Sequence, residues 1–301
     1  MEIAILIPCL NEESTIGKVI ADFKRELPEA KIIVGDNDST DRTAEIARSM
    51  NVTVVSENRR GKGNLVNTLL NTIQADLYVM VDGDDTYRAH DVHNLLQAVS
   101  AGKCDMCIGN RLSHYKPGAF SFLHLFGNKL IRILTKKLHE VDIPDMLTGY
   151  RVMSRKLVDE ICLIMGGFEI ETEINIKSVW HGFKVCSVDI DYSQRPEESS
   201  SKIRTMTDGY RILSTILMLL REHQPMTMGG VIFLFLNLIA LILFILGLAG
   251  SNLFSFSFAL FLSILGAIAL ATGIVLHAGN IAHRESEELQ RKCSSGRFNR
   301  K

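Results

Sequence analysis

Apolar and polar positions alternate between two periods over the first hundred residues. Residues 3–7 are an unbroken apolar run; behind Ser14 or Thr15, Ile16, Val19, Ile20 and Phe23 then recur at helical spacing. Residues 32–34 form the next apolar run, followed by a polar turn and a helix-like segment at 44–50. Residues 52–55 read as a third strand, and after Arg59-Arg60-Gly61-Lys62-Gly63 comes a helix carrying Leu65, Leu69, Leu70 and Ile73. A fourth strand, 77–81, runs straight into Asp82-Gly83-Asp84-Asp85. Strands alternating with helices in this order predict an α/β fold: a mostly parallel, Rossmann-like sheet with helices on both faces.

Further along the pattern changes. Between 118 and 138, Phe120, Phe122, Leu123, Leu125, Phe126, Leu130, Ile131 and Leu134 are interleaved with Lys129, Arg132, Lys136 and Lys137. Such a helix lies in a membrane interface or, equally, packs as an ordinary amphipathic core helix. Residues 207–222 repeat the pattern. Residues 229–250 and 254–276 contain no charge at all, and each run is as long as the roughly 20 residues that span a bilayer. Their short uncharged connection predicts a transmembrane hairpin. Arg221 before it, and Arg284, Arg291, Lys292, Arg297, Arg300 and Lys301 after it, place both ends on the cytosolic side. Ser263, Gly266 and Gly273 in the second span would permit close helix packing and a homo-oligomer. The expected organisation is a cytosolic catalytic domain (1–205), a juxtamembrane amphipathic helix (206–227), the hairpin (228–278) and a basic cytosolic tail (279–301).

Charge changes this picture little. Lys+Arg 33 against Asp+Glu 34 leaves no bulk basicity, so nucleic acid is not an expected partner. Residues 3–7 are too short for a signal-peptide core and are closed by Pro8, so reduced thiols are expected. Cys104 and Cys107 have CxxC spacing without a second pair and are read as core packing.

The carboxylates after the fourth strand carry the candidate chemistry. Open α/β sheets bind ligands at the carboxyl ends of their strands, and side chains at i and i+2 of an extended segment share a face. Asp82 and Asp84 can therefore converge on one cation, while Asp85 points elsewhere. An acidic turn of the ordinary kind has the same composition. The turn after Pro8 lacks GxGxxG, disfavouring a dinucleotide oxidoreductase, and Arg60-Gly61-Lys62-Gly63-Asn64 lacks the Walker spacing of an NTPase.

Together these motifs resemble family-2 glycosyltransferases of the GT-A fold, more narrowly the polyprenyl-phosphate (dolichol-phosphate) glycosyltransferases. Pro8-Cys9-Leu10-Asn11-Glu12 resembles the first-strand PxxNE. Residues 34–43 resemble VxDxxSxDxT with Asp36 at its Asp. Arg60-Gly61-Lys62-Gly63 resembles the glycine-rich loop, and Asp82-Gly83-Asp84 the DxD. The resemblance implies a nucleotide-sugar donor held by Pro8, Asn11, Glu12, Asp36, Lys62 and Asp82, with Mg²⁺ or Mn²⁺ on Asp82 and Asp84. Asp84 would be the direct ligand, and Asp82 would act on the metal or the ribose. Gly109-Asn110-Arg111 resembles the acceptor-side GSR, so Arg111 would hold a lipid phosphate, with Arg132 a second candidate beside simple headgroup attraction. Asp145-Met146-Leu147-Thr148-Gly149-Tyr150-Arg151 resembles DxxSGFR and makes Asp145 the candidate catalytic carboxylate, with Glu171 its rival. Residues 195–202 resemble R-x-x-G-x-S-K, a loop over the donor diphosphate. The Gly is absent here and a residue is added, but Arg195, Ser201 and Lys202 are kept.

The implied activity is inverting, metal-dependent transfer of a sugar to a polyprenyl phosphate at the cytosolic membrane face. The favoured donors are a UDP-hexose or UDP-N-acetylhexosamine, with GDP-mannose also compatible. Two other readings are a transferase for another membrane lipid or a growing glycan, and a non-catalytic scaffold or sugar-nucleotide sensor. The first usually carries QxxRW and more spans, which this chain lacks; the second has no need of Asp82, Asp84, Asp145 and Arg111 together.

Overall fold

A computed structural model describes residues 1–115, 122–196, 205–250 and 253–294. Ser201 and Lys202 lie outside the described residues. Two compact units are present, Met1–Ile216 and Leu217–Lys301.

The first unit is built on a seven-stranded sheet of order β3-β2-β1-β4-β6-β5-β7. Its strands are β1 (Ile3–Cys9), β2 (Lys31–Asp36), β3 (Thr53–Ser56), β4 (Leu77–Met80), β5 (Met106–Tyr115), β6 (Arg151–Ser154) and β7 (Val185–Tyr192). The interleaved helices are α1 (Ile16–Glu26), α2 (Thr43–Ser49), α3 (Lys62–Thr72), α4 (Val92–Ser100), α5 (Phe122–His139), α6 (Arg155–Glu160) and α7 (Ile170–Trp180), followed by α8 (Thr205–His223). β1 pairs in parallel with β2 and β4, β2 with β3, and β5 with β7. Only β6 runs against its neighbours β4 and β5. The chain winds outward from β1 to β3 and then returns to β4 on the other side of β1. The crevice between the ends of β1 and β4 is therefore a topological switch point, the usual ligand site of such sheets.

Alternation along the strands sorts the core into two layers. Ile5, Ile7, Val79 and Val81 join Ile16, Val19, Ile20 and Phe23 of α1 and Val92 and Leu95 of α4 in one buried cluster. The apolar face expected of α1 is thus the face it buries. On the other side Gly35 lies beneath α3: a Cβ there would come within 2.8 Å of Leu65 and Leu69. On α5, Asn128, Ile131 and Thr135 are buried while Phe126 and Ile133 remain 56% and 42% exposed, so apolar surface stays on the outside of this helix.

Cys104 does not stay a free core thiol. It forms a disulfide with Cys186, Cα–Cα 5.9 Å, while Cys107 is free and buried. The cause is strand pairing: β5 starts at Met106, level with Val185, so Cys104 just ahead of it comes within reach of Cys186, a proximity that spacing along the chain does not reveal.

In the second unit, α9 (Pro225–Gly250) and α10 (Leu253–Ser294) form an antiparallel hairpin. Residues 225–250 and 253–282 are each long and apolar enough to cross a membrane. Helix α10 continues to Ser294, so most of the expected tail is helical. The small residues face inward within the chain. A Cβ at Gly229 would lie 2.7 Å from the Ala269 carbonyl, one at Gly273 2.6 Å from the Pro225 carbonyl, and one at Gly266 2.8 Å from Asn237 Nδ2. Ser263 donates to Asn237 Oδ1 at 2.8 Å. The packing assigned to an oligomer is thus used by the hairpin itself.

Candidate active site

The site starts where β1 ends. Asn11 adopts φ 53°, a left-handed conformation that Asn tolerates better than most residues. Its backbone N–H donates to Ser39 Oγ at 3.0 Å and its side-chain oxygen accepts from Thr40 N at 2.8 Å. Asn11 therefore ties the turn after β1 to the turn after β2, shaping the pocket. Glu12 is buried, with its N–H on Thr43 Oγ1 at 2.8 Å. Asp36, at the end of β2, is buried and its Oδ1 has no protein partner. A buried acceptor without a donor calls for a ligand, and Asp36 stands one strand from Pro8, which pairs with Gly35.

The loop before α3 is held from the same side. Asn37 donates to the carbonyls of Glu57 and Arg59, both at 2.9 Å, and accepts from Gly61 N at 2.7 Å. Gly61 has φ 129°, open to glycine alone. Gly63 sits so close to residues 165–166 that a Cβ would come within 2.8 Å of the Gly166 carbonyl carbon. These contacts deliver Lys62 to the sheet end, where Nζ bridges Asp82 Oδ1 at 2.5 Å and Glu171 Oε1 at 2.7 Å.

Asp82 and Asp84 do converge on the crevice, and they differ. Thr15 holds their loop by donating to the Gly83 carbonyl at 2.7 Å. Burial works against the charge of Asp82, but Lys62 outweighs it and holds the carboxyl below its usual range. At Asp84, burial and the neighbouring Asp82 carboxylate outweigh Arg195 and raise the carboxyl. Asp84 Oδ1 accepts from Thr86 Oγ1 at 2.6 Å and Thr86 N at 3.2 Å, and Oδ2 is paired with Arg195 Nη2. Asp85, at φ 58°, turns away to Lys18 at 2.5 Å. The adjacent Cys9 thiol is no nucleophile: burial, reinforced by Glu12, Asp82 and their neighbours, pushes it well up.

Arg111 leaves β5 and forms a two-pronged pair with Asp145, Nε–Oδ2 2.7 Å and Nη2–Oδ1 2.9 Å, and donates to the Leu147 carbonyl at 2.5 Å. Its guanidinium lies over the Tyr192 ring, 5.3 Å from the centroid. Asp145 is fully buried and also accepts from Asn128 Nδ2 at 2.8 Å. Burial opposes its charge, but Arg111 and these donors hold the carboxyl below its usual range. Asp145 thus faces Arg111, whereas Glu171 faces Lys62 and Asp82. Arg132 is placed elsewhere, half-exposed and paired with Asp142 at 2.8 Å.

Further residues complete this arrangement. Gly149 lies against Asp82: a Cβ there would be 2.7 Å from the carboxylate carbon. Its N–H donates to Tyr87 Oη at 2.9 Å, and the Tyr87 ring meets Tyr192 edge-on at 5.3 Å. Arg151 is wholly buried, with Nη2 on the Thr148 carbonyl at 2.5 Å and Nη1 on Asn175 Oδ1 at 3.3 Å. Gly149 and Arg151 belong to the DxxSGFR-like segment, whereas Tyr87 carries no motif and Asn128 shows only as a polar residue inside an apolar helix face.

Residues 4–162 match the family described as glycosyl transferase family 2. The chain is 34% identical to the glycosyltransferase AglJ of Haloferax volcanii, over 76% of this chain and 75% of that protein. It is 28% identical to the dolichyl-phosphate hexose transferase of the same organism, over 74% and 96%. Among solved structures, glucosyl-3-phosphoglycerate synthase from Mycobacterium tuberculosis, crystallised with Mn²⁺, UDP and phosphoglyceric acid, superposes with a TM-score of 0.60. That match covers 73% of this chain and 78% of that one at 22% identity, a likeness of fold. The chain belongs to glycosyl transferase family 2 and is a glycosyltransferase.

Proposed function

We propose that the protein transfers one sugar, with inversion, from a nucleotide diphosphate sugar to a polyprenyl phosphate at the cytosolic face of a membrane. The observation that carries this reading is the loop from Asp145 to Gly149. It grips Arg111 at one end and lies on Asp82 at the other, bringing a guanidinium, the candidate for the acceptor phosphate, beside the end of the sheet. Helices α9 and α10 supply a membrane anchor suited to a lipid acceptor, and the likeness to a dolichyl-phosphate hexose transferase supports it. The cytosolic orientation follows the basic residues flanking the hairpin.

Asp36 and Pro8 line the nucleoside pocket, with Glu12 beside them. The residues also fit a divalent cation: two carboxylates at i and i+2 share the crevice, and each already attracts a positive group. Asp84 would hold Mg²⁺ or Mn²⁺ with Asp82 beside it, and the ion would supply charge neutralisation for the departing diphosphate. Arg111 holds the lipid phosphate and aims one of its oxygens at the anomeric carbon. That oxygen forms the new bond as the bond to the diphosphate breaks. A phosphate monoester is mostly ionised at neutral pH, with a second pKa of about 6, so no strong base is required. Asp145 orients Arg111, and Glu171 holds Lys62 at the donor. The donor is a UDP-hexose or UDP-N-acetylhexosamine, on the resemblance of the motifs.

The test is incubation of the purified protein with radiolabelled UDP-sugars and GDP-mannose, Mn²⁺ and a polyprenyl phosphate. Label in a chloroform-soluble, mild-acid-labile product is expected. Its absence with every donor would overturn the reading.

A further inference from the structure

We propose that Arg195 is an internal counter-ion of Asp84 that exchanges with the divalent cation, so that cation and nucleoside diphosphate bind as a coupled pair. The proposal rests on the cation reading above and adds a competition between a side chain and the ion.

The geometry makes that competition direct. One oxygen of Asp84, Oδ1, is engaged by both the hydroxyl and the backbone N–H of Thr86. The other oxygen, Oδ2, is the one that Arg195 Nη2 occupies. A cation that binds Asp84 through the oxygen Thr86 leaves open uses this same atom. Arg195 also reaches towards Glu12, with Nη1 3.7 Å from Oε1, and so balances two buried acids at once. A fully desolvated carboxylate without a partner is costly, which explains why Asp84 is matched with a cationic side chain.

The cation on Asp82 is placed differently. Lys62 is the first residue of α3, 11% exposed, and is held between Asp82 and Glu171. Arg195 follows β7 in irregular chain, and its side chain is 27% exposed. The last backbone tie before it is Ser193 N on the Thr86 carbonyl at 2.9 Å. Of these two cations, Arg195 is the one that lies outside any helix or strand. Once displaced it stands beside the position of the diphosphate, and its planar fork suits phosphate oxygens. A nucleoside diphosphate that captures Arg195 removes the competitor from Asp84. By linkage it then strengthens cation binding, and the cation strengthens nucleotide binding by the same factor.

The experiment is Mn²⁺ binding to the full chain in detergent, read from the electron paramagnetic resonance signal of free Mn²⁺, without nucleotide and with saturating UDP or GDP. Wild type, Arg195→Gln, Arg195→Lys and Asp84→Asn are compared, with melting curves confirming that each folds. In Arg195→Gln, Mn²⁺ alone should bind about fivefold tighter or more, while affinity in the presence of nucleotide stays within about twofold of wild type. The enhancement produced by nucleotide shrinks accordingly, and Arg195→Lys falls between. Equal or weaker binding of Mn²⁺ alone to Arg195→Gln overturns the exchange. So does an equal tightening with and without nucleotide, which would be a general field effect of one lost charge. If Asp84→Asn abolishes Mn²⁺ binding in those cases, the cation reading itself still stands. If wild type binds no Mn²⁺ even with nucleotide, both readings fall together.

Discussion

Arg111 and Asp145 are locked to each other by two parallel hydrogen bonds, Nε–Oδ2 2.7 Å and Nη2–Oδ1 2.9 Å, with side chains 7% and 0% exposed. Removing either partner leaves a buried, uncompensated charge. Asp145→Ala and Arg111→Ala should each destabilise the protein by about 3–5 kcal/mol. The double replacement Arg111→Ala with Asp145→Ala should cost clearly less than the sum. Thermal melting of the four proteins measures this; additive losses would show that the pair does not couple.

The two candidate carboxylates are separated by which substrate each affects. Asp145→Asn should raise KM for the lipid phosphate and lower Tm, because it slackens Arg111. Glu171→Gln should leave acceptor KM unchanged and weaken donor binding through Lys62, to which it is hydrogen-bonded at 2.7 Å. Steady-state kinetics with each substrate varied in turn checks both; a kcat loss confined to Glu171→Gln with unaltered donor affinity would instead make Glu171 the base.

Gly149→Ala tests the support beneath Asp82. The new methyl group would lie 2.7 Å from the carboxylate carbon, so Asp82 must move off Lys62. A stability loss of about 1–3 kcal/mol is expected from the overpacking. Transfer should fall at least tenfold, about the effect of a small misplacement of a positioning group. Normal kcat and KM in this variant would show that Asp82 need not sit where it does.

Acid stability should report on Glu57. Hydrogen bonds from Arg59 and Thr68 hold this carboxyl at about 2, against 4.5 for a free one. A depressed native pKa stabilises the fold fully above the unfolded value and loses that effect as pH falls through the native one. The stability gap between wild type and Glu57→Gln should therefore be constant above about pH 5, shrink between 4.5 and 2, and vanish below. Urea denaturation across this range measures it.

The hairpin predicts its own variants. Gly229→Leu and Gly273→Leu should push α9 and α10 apart, since both positions face backbone of the other helix. Asn237→Ala should cost only about 0.6 kcal/mol, the usual worth of one interhelical hydrogen bond in lipid. Disulfide trapping between cysteines placed at 237 and 263 reads the helix spacing directly.

Much of this was legible along the chain, because period and strand-end chemistry are local. The β1–α1–β2–α2–β3–α3–β4 order, the buried face of α1, the placing of Asp36, Asp82 and Asp84 at strand ends and of Lys62 at the start of α3 follow from spacing and motif. The turning away of Asp85 followed from the two-residue period. What was hidden depends on segments far apart in sequence. The antiparallel insertion of β6 brings Gly149 onto Asp82. The β5–β7 pairing joins Cys104 to Cys186 across 82 residues. The match of Arg111 to Asp145 converts two separately assigned residues into one unit. The inward use of Gly266 and Gly273 escaped for the same reason: a small residue announces close packing, not the partner.

The loop that runs from Asp145 to Gly149 has a further consequence. One end is pinned by Arg111 and the other by Tyr87 and Asp82, so on the proposed mechanism the loop would act as a fixed ruler between the acceptor and donor halves of the reaction. A change of acceptor or donor taste in a related enzyme must then arise on either side of the ruler. Any insertion or deletion inside these five positions would alter the gap that the transferred sugar has to cross.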